Sequence, residues 1–132
     1  MPDANAMTVD ECRDWLRIVD KWVRVVPPAF RTVYWERIVD DDGKMEQCLD
    51  PFPPTLDGAA RVMKDGRLLE IIEWPNGVIT VSLIVWGDSE KGTGPNKIKA
   101  EVHADEEPDR LKRLILAWYR ANVAASLARG SQ

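Results

Sequence analysis

Residues 68–86, LLEIIEWPNGVITVSLIVW, constrain this chain more than any other stretch. Two runs rich in aliphatic and β-branched residues flank Pro75, Asn76 and Gly77. Proline at the first corner and glycine at a left-handed position fit a type I turn closed by a glycine bulge. That turn sets the register of an antiparallel hairpin. Trp74 then faces Val78, Ile71 faces Val81 and Leu69 faces Leu83, which sends Leu69, Ile71, Ile79, Val81, Leu83 and Val85 to one side of the sheet. This is the predicted core face.

Upstream, residues 1–7 carry no pattern and are expected to form a disordered lead. Thr8 and Glu11 make a capping box, after which Cys12, Trp15, Leu16, Val19, Trp22, Val23 and Val26 recur at helical spacing, so a helix is predicted from residue 8 to the Pro27-Pro28 stop. Its opposite face, with Arg13, Asp14, Arg17, Asp20, Lys21 and Arg24, is read as a solvated stripe. Residues 30–49 satisfy two templates. Phe30, Val33, Tyr34 and Ile38 make a helical stripe, whereas the β-branched and aromatic run at 32–35 and the turn chemistry of Asp40-Asp41-Asp42-Gly43 favour a second hairpin. The hairpin is preferred, with Val39 facing Met45 and Trp35 facing Leu49. Residues 50–54, DPFPP, read as a stiff joint between two halves of one domain.

Thr55 caps a predicted short helix with Leu56, Ala59, Ala60 and Met63 on one face and Gly66 at its end. After the central hairpin come a polar, glycine-rich loop at 87–96 and a third strand at 97–104. In that strand Ile98, Ala100, Val102 and Ala104 alternate with Lys97, Lys99, Glu101 and His103. Asp105, Glu106, Glu107 and Pro108 then open the longest helix, expected to run to about residue 128. Leu111, Leu114, Ile115, Trp118, Asn122 and Ala125 form one stripe of it, and Leu116, Tyr119, Val123 and Leu127 a second, so it must be covered on two sides or used in an interface. The fold class that results is α+β, a single domain over 1–132 with antiparallel sheet packed on helices. Residues 8–50 supply a helix plus hairpin, and residues 55–129 the order helix, three strands, helix, with both helices on the core face.

That order resembles double-stranded RNA-binding domains in topology only. Where their second helix begins with lysines, this chain has Asp105, Glu106, Glu107 and Asp109, which repel phosphate. In size, acidity and element order it is also similar to small phage-encoded α/β proteins, with no motif in common. Neither likeness carries a function across. The formal charge of -4 and the absence of a basic block disfavour nucleic acid as a partner. No apolar run is long enough to span a membrane and the first residues lack the pattern of a secretory signal, so a cytoplasmic protein is expected. Cys12 and Cys48 lie far apart without metal-ligand spacing and read as reduced thiols, and no motif for a cofactor is present.

Three kinds of function compete on these residues. His103 is the only histidine, so histidine-dependent catalysis must pass through it, with Ser82 or Glu101 as its partner, but few of the required geometric roles can be filled. A weak nucleic-acid binder would use Lys97, Lys99 and the loop at 87–96, a loop without the order of a phosphate-binding motif. The third kind is a protein that acts by binding another protein, and the tryptophans favour it. Trp15, Trp22 and Trp118 fall on core stripes. Trp74 and Trp86 fall on the outer face of the central sheet with Ile72, Ile84, Lys99 and His103, a face either covered by the N-terminal half or open as a contact surface. The reading reached from sequence is a small interaction protein using that face, of the kind that serves as an inhibitor or accessory factor of a phage or mobile element, including an anti-defence or anti-CRISPR-like role. Self-association through the doubly apolar last helix is the alternative to a foreign partner.

Overall fold

The computed structural model describes residues 3–29, 32–39, 42–62, 67–85 and 96–130. The fold is α+β, with two three-stranded antiparallel sheets packed with helices. Helix α1 (Val9–Val19) leads into β1 (Val23–Val25), β2 (Tyr34–Ile38) and β3 (Met45–Cys48), which form sheet A in the order β1-β2-β3. Helix α2 (Leu56–Arg61) precedes β4 (Arg67–Glu73), β5 (Ile79–Val85) and β6 (Asn96–Val102), which form sheet B in the order β4-β5-β6, and α3 (Arg110–Gly130) closes the chain.

The capping box at Thr8 forms as the spacing predicts, with Thr8 and Glu11 each accepting from the other's backbone N–H. The helix, however, stops at Val19, well short of Pro27. Lys21 takes a left-handed backbone with φ of 63°. The N–H of Trp22 reaches back to the Arg17 carbonyl and that of Lys21 to Ile18, which together make a Schellman ending. The β-branched residues beyond it then pair as β1 with β2. The periodicity of Trp22, Val23 and Val26 is therefore accidental, since Trp22 is buried while Val23 and Val26 lie exposed.

A hairpin does occupy the second assignment, but one residue out of the predicted register. Ile38 pairs with Met45 and Trp35 with Cys48. The N–H of Val39 donates to the Lys44 carbonyl, so four residues separate the paired ends and not three. Of these, 40 and 41 lie outside the described residues. Phe30 also lies outside them, as do Met63 and Gly66, assigned above to the face and end of α2.

The central turn is as read, with the Trp74 N–H donating to the Val78 carbonyl and Gly77 at φ of 89°. Ile71 pairs with Val81. A bulge then brings Leu68, not Leu69, opposite Leu83. Helix α3 lies on the inner face of β5 and β6, where Val81, Leu83, Val85, Ala100 and Val102 pack on Leu116, Ala117, Ala121 and Ala125. It leaves Leu69 and Ile71 of the edge strand β4 exposed. Its other side joins Ile115, Tyr119 and Val123 to Cys12, Leu16, Trp22, Phe52 and Ala59. The helix with two apolar stripes is thus covered on two sides. It begins at Arg110, after Asp105–Glu107 have formed a turn on the His103 carbonyl, and Asp109 caps it by accepting from the Lys112 N–H. Helix α2 packs on α3 and does not lie on sheet B, contrary to the expected pair of helices on that face.

Two further expectations are overturned. The lead is ordered from residue 3: Ala4–Ala6 form a 3-10 turn, Ala4 and Met7 enter the core, and the Met7 carbonyl accepts from buried Arg120 at 2.8 Å. Residues 50–54 are not a joint. Phe52 is buried, the Pro53 carbonyl accepts from the Tyr119 hydroxyl at 2.6 Å, and Asp50 binds α1.

Candidate functional site

The outer face of sheet B carries the residues singled out from sequence. Alternation along three strands places Glu70, Ile72 and Trp74 on β4 and at its end, Val78 just before β5 and Thr80, Ser82 and Ile84 on it, and Lys97, Lys99, Glu101 and His103 on β6 and just beyond it. All but Ile84 line one shallow trough. Ile72, Trp74, Lys99 and His103 are thereby brought together, with Ile84 at the end of the array. Trp86, and the loop positions 87–95, lie outside the described residues.

No described element of the N-terminal half packs on this face in the manner that α3 packs on the other. Its own long side chains roof it instead. The Trp74 indole N–H donates to the Thr80 hydroxyl at 3.0 Å, and Lys97 Nζ meets Glu70 Oε1 at 2.7 Å across β5. Beneath this cover Thr80 and Ser82 are buried, and the Ser82 hydroxyl has no hydrogen-bond partner among the described residues. Trp74 stays 47% exposed. The face is therefore a polar surface with one aromatic, not a continuous apolar patch.

Register also separates one of the pairs offered for catalysis, Ser82 and His103. Ser82 pairs with Lys99, whereas His103 lies four residues further along, roughly 13 Å away at strand spacing. The two side chains do not meet. Lys97 is neutralised by Glu70 and Lys99 is flanked by Glu101, so this strand concentrates no positive charge for a phosphate backbone.

Sheet A presents the surface that sequence reasoning missed. One of its faces turns inward, carrying Trp35, Cys48 and, beside β1, Trp22 onto the core cluster of α1. Two arginine–tryptophan stacks fasten it. Arg17 of α1 lies 4.5 Å from the Trp35 ring centroid, and Arg37 of β2 lies 4.5 Å from that of Trp22. Arg37 also pairs with Asp20 and with Glu46. The residues between these, by alternation, all point the other way: Val23 and Val25 on β1, Tyr34, Glu36 and Ile38 on β2, Met45 and Gln47 on β3, and Leu49 beyond it. Val23 is 59% exposed, Ile38 66%, Met45 52% and Leu49 71%. No described element covers this face. A one-residue change of register exchanges the faces of a strand, and the predicted register had put Trp35 beside Leu49 on one apolar side. The apolar alternation of Tyr34, Ile38, Met45 and Leu49 was the available signal.

The segment after β3 is held to α1 by a charged cluster at residue 50. Asp50 Oδ2 accepts from Arg13 at 2.6 Å, and Oδ1 accepts from Arg17 at 2.7 Å and from the Phe52 N–H at 3.0 Å. Burial pushes the carboxyl upward, but hydrogen bonds from Arg17, the Phe52 N–H and Arg13 outweigh it and hold the pKa below the usual range. The solvated stripe expected of Arg13 and Arg17 is in fact this contact. Cys12 is a fully buried thiol whose pKa burial raises to about 12, and Cys48 is half-buried, so both are poor nucleophiles. A cleft between the start of α1 and α3 is floored by Val9, Ile115 and Leu116, and the Arg120 guanidinium at its base is already bound to Glu106 and the Met7 carbonyl.

Among the described residues no group of histidine, cysteine and acidic side chains is placed to hold a metal ion, and no helix is long and apolar enough to cross a membrane. Compared with models of known families, with curated proteins and with solved structures, the chain matches none.

Proposed function

We propose that this is a small interaction protein that acts by binding another protein, and that the outward face of sheet A is its contact surface. The observation that carries the reading is the set of large apolar side chains on that face, with Val23, Ile38, Met45 and Leu49 each more than half exposed. Scattered exposed aliphatics need no explanation, but a whole sheet face of them around two polar residues is what partner surfaces present. Such a protein works by occupying its target, as an inhibitor or accessory factor does, and needs no chemistry of its own. The outer face of sheet B is the second candidate, favoured by half-exposed Trp74, since tryptophan is enriched among residues that dominate binding energy.

The test is affinity capture from a lysate of the source cells with three baits: the natural chain, Ile38→Ser/Leu49→Ser, and Trp74→Ala. A stoichiometric partner kept by the Trp74 variant and lost by the double variant, both folded by circular dichroism, is the expected result. The opposite pattern moves the contact to sheet B. Capture that is indifferent to both variants sinks both surfaces.

A further inference from the structure

Glu36 stands in the middle of the exposed face of sheet A. It is the third residue of the five in β2, opposite Val23 on one side and Gln47 on the other, with Ile38 and Met45 at one end of the array and Val25, Tyr34 and Leu49 at the other. It is half-buried among them. Among the described residues its side chain has one polar contact, a long hydrogen bond from Gln47 Nε2 at 3.4 Å, and the same nitrogen lies 3.8 Å from the Met45 sulfur. No cation among the described residues is paired with it. Arg37, its neighbour in sequence, points through the other face to Asp20 and Glu46.

Resting on the reading above, we infer that this face receives an amphipathic helix of a partner protein that carries an arginine or lysine within its apolar stripe, the cation meeting Glu36. Two arguments fix the occupant. The first is charge. Covering the apolar ring strips water from the carboxylate, and an unpaired buried carboxylate is costly, so a partner bringing only aliphatic groups is rejected while one bringing a cation is accepted. A second copy of this chain, docked face to face about a two-fold axis, sets Glu36 against Glu36 and is rejected for the same reason. The second argument is shape. Three strands of this length span about 14 by 16 Å, the footprint of one helix of about three turns. The chain already uses that solution on its other sheet, where α3 covers β5 and β6.

A displayed library of amphipathic helices, each about five turns long and varied over Arg, Lys, Leu, Gln and Glu at the centre of the apolar stripe, is panned on the full chain. Selection of Arg or Lys at that position is expected, with binding weakened at least roughly tenfold by Glu36→Gln. Glu36→Arg is expected to turn the preference towards Glu. An unchanged melting temperature shows that these variants fold. Selected helices with Leu at the centre, or equal binding to Glu36→Gln, overturn the inference. If those helices are still lost on Ile38→Ser/Leu49→Ser, the contact surface stands and only the cation is wrong. Helices that ignore that double variant overturn both, as does a homodimer at neutral pH that the double variant dissociates.

Discussion

Gly58 is held between two parts of the chain distant in sequence. A Cβ built there lies 2.0 Å from the Pro53 carbonyl oxygen and 2.7 Å from the Tyr119 hydroxyl, so alanine must push α2 off a rigid proline backbone or off α3. Gly58→Ala is expected to cost about 1–3 kcal/mol, read as a lower urea midpoint. Tyr119→Phe leaves the Pro53 carbonyl with the Thr55 N–H as its donor and is expected to cost about 0.5–1.5 kcal/mol, with the double variant less than additive because both act on one contact. Lys21 points the other way. It ends α1 at φ of 63°, where glycine is the unstrained residue, and Lys21→Gly is expected to stabilise the chain by about 0.5–1 kcal/mol. An unchanged or lowered melting temperature contradicts that account. None of these three roles was legible in the sequence. Gly58 looked like one more position in a short helix, and Tyr119 was rightly placed on an apolar stripe, but its hydroxyl finds a partner 66 residues away.

Between elements, the contacts that matter are ionic and aromatic. Asp50 ties the segment after β3 to two arginines of α1, the Arg17–Trp35 stack lays β2 on the same helix, and the Arg37–Trp22 stack joins β2 to the residue before β1. Because the Asp50 carboxyl is held below its usual pKa, its contribution is fully present above the unfolded value of about 4 and is lost as pH falls through the folded one. Glu106, held down by Arg120, has the same sign but is more exposed and contributes less. Denaturation midpoints measured from about pH 6 to about pH 2.5 are expected to fall on the acid side, and Asp50→Asn is expected to flatten that fall while costing about 1–3 kcal/mol at neutral pH. An acid limb as steep in Asp50→Asn as in the natural chain rules out this carboxylate as its source. Patterns that depend on neighbours in sequence were read correctly here: the Thr8 cap, the Pro75-Asn76-Gly77 turn and the two-sided covering of α3, although Ile115 and Leu116 exchange the stripes assigned to them and Leu111 lies exposed. Misreadings arose where the deciding partner was remote or the loop ambiguous. Nothing local distinguishes a three-residue from a four-residue connection around Asp42 and Gly43, yet that single residue decides which face of sheet A is open. On sheet B, where the tryptophans point from sequence, Trp74 and Ile72 do share a face but are interspersed with charge.

At the scale of the whole molecule, α3 belongs to two clusters at once. Ile115, Tyr119 and Val123 complete the one built on α1, and Leu116, Ala117, Ala121 and Ala125 complete the one built on sheet B. Arg120, between them in sequence, is tied by hydrogen bonds to Met7 and Glu106. Neither cluster retains an apolar wall without the helix, and the helix, apolar on both sides, is not stable in water with either one missing. The two sheets should therefore unfold together although they share no strand pairing. Val123→Ala tests this directly, because the side chain is fully buried and belongs only to the α1 cluster. It is expected to lower the hydrogen-exchange protection of the β5 amides, in the other cluster, by the same amount as it lowers global stability, about 1–3 kcal/mol. Protection of β5 that stays at the value of the natural chain, while α1 amides lose theirs, means that sheet B and α3 persist as a separate unit and that the α1 cluster opens without them.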